Sequence, residues 1–146
     1  MSLATDIADA VAAELNAADA GTFSQAFTAR WKVLPASSLT ELTDLCVSVV
    51  PKSVLTENGS RAAAAITVSI DIGVQKKLGT DIDTEVATLG TLVDEIASYL
   101  RRRNLAKAAY ASWAGSTNEP VYAPDHLTQD HVFTSVLTVS YQVLVR

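Results

Sequence analysis

With 146 residues, 49% of them hydrophobic and 18% charged, the chain suits a single domain whose core needs neither disulfide bonds nor metal ions. Its 11 basic and 16 acidic residues give a net charge of −5, which argues against a nucleic-acid-binding surface, because such surfaces need clustered Lys and Arg. Cys46 has no second cysteine to pair with, so the chain forms no internal disulfide bond. The N-terminus carries acidic residues where a signal peptide carries basic ones, which argues against a signal peptide. No apolar run reaches the roughly 20 residues of a membrane span. We therefore expect a soluble, acidic single domain that is made inside the cell.

The first half of the chain predicts one helix and two strands. Residues 3–18 are predicted to be helical, because apolar side chains recur every four positions; they are Leu3, Ile7, Val11 and Leu15. A strand in FTARWKVLP is predicted to end at Pro35, and a second strand in LCVSVVP at Pro51. A loop is predicted over residues 52–62, with a turn at Asn58-Gly59.

The second half carries the clearest patterns. ITVSIDIGV alternates strictly and predicts an antiparallel strand with one covered face, built from Ile66, Val68, Ile70, Ile72 and Val74. A helix over residues 81–104 is predicted to cover that face, since its apolar residues are spaced by four and three. After a loop over residues 106–129, residues 131–146 alternate with period two and predict a long final strand.

The element order is therefore α-β-β-β-α-β, which predicts an α+β fold over residues 1–146. We expect two layers, with a mostly antiparallel four-stranded sheet and two helices packed on one face.

The chain offers little that predicts catalysis, a cofactor or a metal ion. His126 and His131 would point about 140° apart on a helix, and two histidines are too few ligands for zinc. Asp81 and Asp83 do not face each other on a helix, and both fit a first turn in which acids complement the helix dipole.

The basic run and the cysteine also have structural interpretations. Residues 101–103 are all arginine and suit the C-terminal end of a helix, although three arginines can also contact phosphates. Cys46 suits small apolar packing better than nucleophilic catalysis, since no base can be assigned to it. We predict no catalytic, cofactor-binding or metal-binding residues.

Six segments follow one another after the short N-terminal helix: FTARWKVLP, LTDLCVSVVPKS, the turn ending in Ser60-Arg61, ITVSIDIGVQKKL, TLVDEIASYLRRRNL and EPVYAPDHLTQDHVFTSVLTVSYQVLVR. In element order, length and texture this series resembles the tail terminator, or tail completion, proteins of tailed bacteriophages and prophages. The resemblance covers residues 6–146. Its most specific parts are VVPKS and the stretch from Tyr122 through Phe133 into the last strand.

The resemblance implies a homo-oligomeric ring, typically a hexamer, at the tail–neck junction of a virion assembled in the bacterial cytoplasm. Such a ring ends polymerisation of the tail tube protein and provides the docking surface for the head connector, or head completion protein. It implies no catalytic residues and no membrane, and DNA only passes through the lumen.

Physical reasoning agrees with a ring on several points. A sheet covered on one side leaves a polar face and two strand edges, to which other chains can add. Closed rings arise from head-to-tail contacts, and an acidic wall does not hold DNA that must pass. The length of the last strand suggests that one end reaches a neighbouring subunit.

Three other functions fit the same pattern. One is another head–tail joining protein of the neck, and another is a small α+β ligand-binding or regulatory module, since folds are shared between functions. The third is an enzyme whose site is assembled between subunits.

The candidate interface residues lie in two segments that lack periodicity yet carry apolar side chains. They are Val54, Leu55 and Arg61 in the first segment and Trp113 and Tyr122 in the second. The alternatives are that Trp113 and Tyr122 fold back over their own core and that Arg61 is a solvated turn residue.

Overall fold

The computed structural model describes residues 2–33, 41–61 and 63–145. Within these residues the chain forms two helices and five strands: α1 (Leu3–Asn16), β1 (Ala29–Trp31), β2 (Cys46–Asn58), β3 (Ala64–Lys77), α2 (Ile82–Leu100), β4 (Ser112–Asn118) and β5 (Val132–Val145). A turn of 3₁₀-helix at Glu41–Thr43 and a π-helical segment at His126–Asp130 lie in the connections. The predicted strand ends at Pro35 and Arg146 and the loop end at Ala62 lie outside the described residues.

The strands form one sheet in the order β1-β2-β3-β5-β4. β1 runs parallel to β2, and every other neighbouring pair is antiparallel. The α+β class and the mostly antiparallel sheet are therefore confirmed. The predicted four-stranded sheet and the order α-β-β-β-α-β are wrong in detail, because β4 lies within the predicted loop over residues 106–129.

Two stretches of strand lack the alternation on which the prediction depended. β4 has the sequence SWAGSTN and no fully buried residue, so it is held in the sheet by its ladder with β5 and not by an apolar face. β2 does not end at Pro51 but continues to Asn58, pairing with β3 after a register shift between Pro51 and Ser53. The predicted loop over residues 52–62 is therefore mostly strand.

Both helices pack on one face of the sheet, as predicted. Their buried residues form a single core with the inward-facing side chains of the strands, including Val49, Val68, Ile70, Ile72, Val139 and Tyr141. α1 lies against β1, β2 and β3, and α2 lies against β5. The prediction that α2 crosses the face of β3 is thus wrong in detail, since α1 is the helix that packs against that strand.

The two helices are joined at one end by Arg103. α2 ends at Leu100, four residues before the predicted boundary, because Arg101 is extended and Arg102 has a φ of 57°. The chain then turns back, so that the Arg103 guanidinium stacks 3.8 Å from the centre of the Tyr99 ring and lies 3.5 Å from Glu14 of α1. Burial raises the pKa of Tyr99, and the Arg103 charge partly offsets this rise. The third arginine therefore holds α2 to α1.

The edge strand β1 is covered by a side chain of α1. Asn16 donates from Nδ2 to the Ala29 carbonyl at 2.9 Å, and its Oδ1 accepts from the Ala29 N–H at 2.8 Å. These two bonds satisfy the backbone groups of Ala29 that an added strand would use. This edge is consequently closed at that residue.

Replacing Ile70 by Asp should unfold the protein. Ile70 is 0% exposed beneath the helices, so the substitution buries a carboxylate without a partner and costs more than about 3 kcal/mol, a large part of a domain's total stability. Urea denaturation followed by circular dichroism measures the loss. Gln142→Asp is the control, because Gln142 is exposed on the opposite face of the sheet and the variant should keep the native midpoint. An unchanged midpoint for Ile70→Asp would show that the inner face has been assigned wrongly.

Candidate assembly surface

The residues considered for catalysis or metal binding lie apart. Among residues 2–33, 41–61 and 63–145, no three His, Cys, Asp or Glu side chains are grouped as a metal site. His126 contacts the Thr134 hydroxyl with Nδ1 at 2.8 Å, whereas His131 precedes β5 with a φ of 53° and accepts a bond from the Leu78 N–H at its carbonyl. Cys46 is half-buried in a small cluster with Leu42 and Val132 on the face away from the helices.

That helix-free face of the sheet is polar along its middle. Asp71 accepts a 2.6 Å hydrogen bond from the Thr138 hydroxyl and lies 3.9 Å from the Lys52 ammonium. Ser69 and Ser140 hydroxyls meet across the same two strands at 3.1 Å. These cross-strand pairs satisfy one another and keep the middle of the face polar, with the Asp71 carboxylate balanced by Lys52.

One end of the sheet extends past the helices. It consists of residues 53–58 of β2, 64–67 of β3 and 142–145 of β5, and no register shift interrupts the pairing of these residues with their neighbouring strands. We call this extension the arm. Every one of residues 52–58 is exposed, in contrast to the buried residues 47–49 of the same strand. The arm is therefore strand structure without a helical layer over β2.

The arm carries exposed apolar side chains on both of its faces. Val54 and Leu55 are 50% and 54% exposed on β2, and Leu144 and Val145 are 68% and 44% exposed on β5. Val54 is paired with the core residue Val68 and Leu55 with the outward-facing Thr67, so the two point to opposite faces. By the same alternation Val145 points to the helix side and Leu144 away from it.

Both outer edges of the arm lack a partner strand among the described residues. On one side β1 pairs with β2 only at residues 47–49, which leaves residues 53–58 without a neighbour. On the other side β4 begins at Ser112, opposite Gln142, which leaves residues 143–145 without one. Edges of this kind present unpaired N–H and C=O groups to which another chain can bind.

The tip of the arm is a tight turn, as the Asn58-Gly59 pair predicted. The N–H groups of Gly59 and Ser60 both donate to the Ala63 carbonyl, at 3.1 and 2.9 Å. A Cβ atom on Gly59 would lie 3.3 Å from the Ala65 nitrogen, so this close approach favours glycine. Arg61 is exposed in this turn, and no ion pair within the described part of the chain involves it.

At the opposite end of the sheet, the connection from β4 to β5 is tied down by backbone hydrogen bonds. Glu119 donates to Val136, Val136 donates to Pro120, and Ala123 donates to Thr134, at distances of 2.9 to 3.2 Å. This fixed connection holds Val121 and Tyr122 outward, with exposures of 57% and 43%. It forms a second exposed apolar surface.

The structure does not bring the five candidate interface residues into one patch. Val54, Leu55 and Arg61 belong to the arm, whereas Tyr122 lies beside Thr134, about 26 Å away along β5 at roughly 3.3 Å per residue. Trp113 lies between these ends on β4, half-buried against the protein's own core. Sequence reasoning missed Leu144 and Val145 as interface residues. Val145 continues the apolar alternation of β5 and Leu144 lies on its otherwise polar face, so neither is marked as exposed by the pattern.

Comparisons with known proteins bear on the fold. No family model and no curated protein matches the sequence. A chain in the structure "Virion of native gene transfer agent (GTA) particle" is similar in fold, with a TM-score of 0.65 at 17% sequence identity, over 99% of this chain and 100% of that one. The likeness extends over nearly the whole of this chain and the whole of that one. Neither helix in the described residues is long and apolar enough to cross a membrane.

Purified protein should contain no bound metal ion in a fixed ratio. A zinc site needs three or four ligands on one centre, the described residues contain no group of three His, Cys, Asp or Glu side chains, and His126 is engaged with the Thr134 hydroxyl. Elemental analysis of protein prepared without chelators, before and after dialysis, tests this. One zinc, iron or manganese ion per chain that survives dialysis, and that is lost when His126 and His131 are both replaced by Ala, would contradict the prediction.

Proposed function

We propose that the protein is a structural component of a phage-type virion, acting without catalysis, cofactor or metal. In this proposal it forms a hexameric ring at the head-proximal end of the tail tube, where it ends tube polymerisation and gives the head connector its docking surface. The observation that carries the proposal is the fold likeness to a chain of a virion particle, which extends over 99% of this chain and 100% of that one.

The distribution of exposed apolar residues supports a ring component. Such a component must contact copies of itself as well as a different structure on each side. This chain has exposed apolar side chains at both ends of its sheet, at Leu55 and Leu144 in the arm and at Val121 and Tyr122 in the opposite connection. A monomeric domain gains nothing from exposing apolar side chains at two separate ends, whereas a component between tail tube and connector can use both.

The charge of the chain supports passage of DNA without binding. The net charge of −5 opposes retention of a polyanion, and the helix-free face balances its Asp71 with Lys52. DNA in transit through the ring would therefore meet a protein of net negative charge.

Deletion of the gene from a host that produces the particles tests the position in the virion. Loss of the protein should give tails that are detached from heads and whose tubes vary in length beyond the normal value, as seen by electron microscopy. Detached tails of normal length would instead assign the protein to another head–tail joining step. Intact, infectious or transducing particles would contradict a virion role.

The double variant Val54→Ser, Leu55→Ser should keep its fold and lose its ring. Both side chains are about half exposed, so their truncation should lower the free energy of unfolding by no more than about 2 kcal/mol, which leaves the domain folded, while it removes apolar area from the arm. Light scattering after size exclusion measures the assembly, and circular dichroism the fold. Val33→Ser is the matched control, because Val33 is 72% exposed but lies next to β1, outside the arm. Full assembly of the double variant, at wild-type concentration dependence, would exclude these residues from the interface.

A further inference from the structure

We propose that the arm joins copies of this chain head to tail, with residues 143–145 of β5 in one copy beside residues 53–58 of β2 in the next. The inference rests on the proposed function, in that it specifies how the proposed ring is held together. The partner that the arm fits is a second copy of the same chain, because each copy supplies both of the edges that meet.

The other strand edges of the domain are poorly suited to pairing with a further strand, which leaves the two edges of the arm as the best candidates. The β1 edge is occupied at Ala29 by the two hydrogen bonds of Asn16. β4 is interrupted by a register shift between Trp113 and Gly115 and is otherwise polar, which are features that discourage the addition of a strand. On β2, Pro51 has no N–H to donate and is followed by a register shift, so the usable edge begins at Ser53.

The side chains on the two free edges match one another. The β2 edge carries Val54 on the helix side and Leu55 on the other side, and the β5 edge carries Val145 and Leu144 in the same arrangement. If the edges lie together, apolar side chains meet on both faces at once. An isologous contact between two β2 edges would leave Leu144 and Val145 of both copies exposed.

The outline of the sheet favours a closed ring over an open chain of subunits. The sheet narrows from five strands across its middle to three in the arm. Such subunits are wedge-shaped, so that arms can meet at the narrow end while β1 and β4 separate the wider bodies. A head-to-tail contact repeated with a constant rotation closes into a ring when the rotation completes a full turn without translation along the axis, and otherwise builds a helical filament. Since β2 and β5 are both antiparallel to β3, the two edges run parallel to each other across the contact.

Cysteine cross-linking in the full-length protein tests this arrangement. In a Cys46→Ala background, Leu144→Cys is combined in turn with Ser53→Cys, Leu55→Cys or Glu57→Cys. All four positions lie on the helix-free face. The three β2 positions are spaced by two residues, so one of them should face Leu144→Cys of the next copy for any of three registers between the two edges. Within one chain β3 separates these positions by about 9.6 Å, beyond the roughly 6.8 Å between Cα atoms that a disulfide spans. Oxidation followed by non-reducing gel electrophoresis and light scattering gives the readout, with the single variants as controls.

At least one double variant should give a ladder of covalent oligomers that ends at the size of the ring, while each single variant stays unlinked. A mixture of two single variants should give only a linked dimer. Efficient dimerisation of Ser53→Cys, Leu55→Cys or Glu57→Cys alone would mean that β2 pairs with β2, and the inference would be wrong. Rings by light scattering with no cross-link in any double variant would also overturn the inference while leaving the proposed function standing. Monomers throughout would contradict both.

Discussion

The antiparallel ladder between β3 and β5 runs without a register shift from Ala64 with Val145 to Lys77 with Val132. Each of these strands has 14 residues and is therefore about 46 Å long, whereas the 19 residues of α2 span only about 28 Å. The 14 residues of α1 span still less, about 21 Å. Helices of these lengths on one face cannot cover the whole ladder. The length difference between strand and helix is the constraint that produces the arm.

Side chains on the inner face of the sheet are buried only where a helix covers them. Val68 and Tyr141, paired beneath the helices, are 0% exposed, and burial raises the pKa of the Tyr141 hydroxyl. Four residues further along β5, Val145 on the same face is 44% exposed. On β2, Val54 is already 50% exposed although it is the direct partner of Val68. The same alternation of side chains thus builds a core in the middle of the sheet and leaves apolar groups open at its end. In the proposed ring, a partner would bury these apolar groups, which connects the strand lengths to the proposed assembly.

The sequence predicted those helices and strands in which the spacing of the apolar residues follows a buried face. The alternation of Ile66 to Val74 and the three-and-four spacing of the second helix are direct consequences of burial, and both elements were found close to their predicted positions. The N-terminal helix was found two residues shorter than predicted. β4 and the distal half of β2 were not predicted. Backbone hydrogen bonds to a neighbouring strand hold them in the sheet, and such bonds do not require a pattern of apolar side chains. In β2 the adjacent apolar residues Val54 and Leu55 break the alternation, since each points to a different exposed face. The separation of Tyr122 from the arm was equally unpredictable, because it depends on which strands are neighbours.

The central claim is that the strand edges of the arm are unpaired in a single copy and become covered in the assembly. Hydrogen–deuterium exchange with mass spectrometry tests it directly, on the assembled protein and on the same protein diluted until it dissociates. Peptides containing residues 53–58 and 143–145 should exchange at least about tenfold more slowly in the assembled state, because edge amides gain hydrogen bonds or lose contact with water. Residues 112–118 of β4 should exchange alike in both states. Equal exchange of the arm in the two states, with protection appearing at β4 or in the connection that holds Tyr122, would contradict the account.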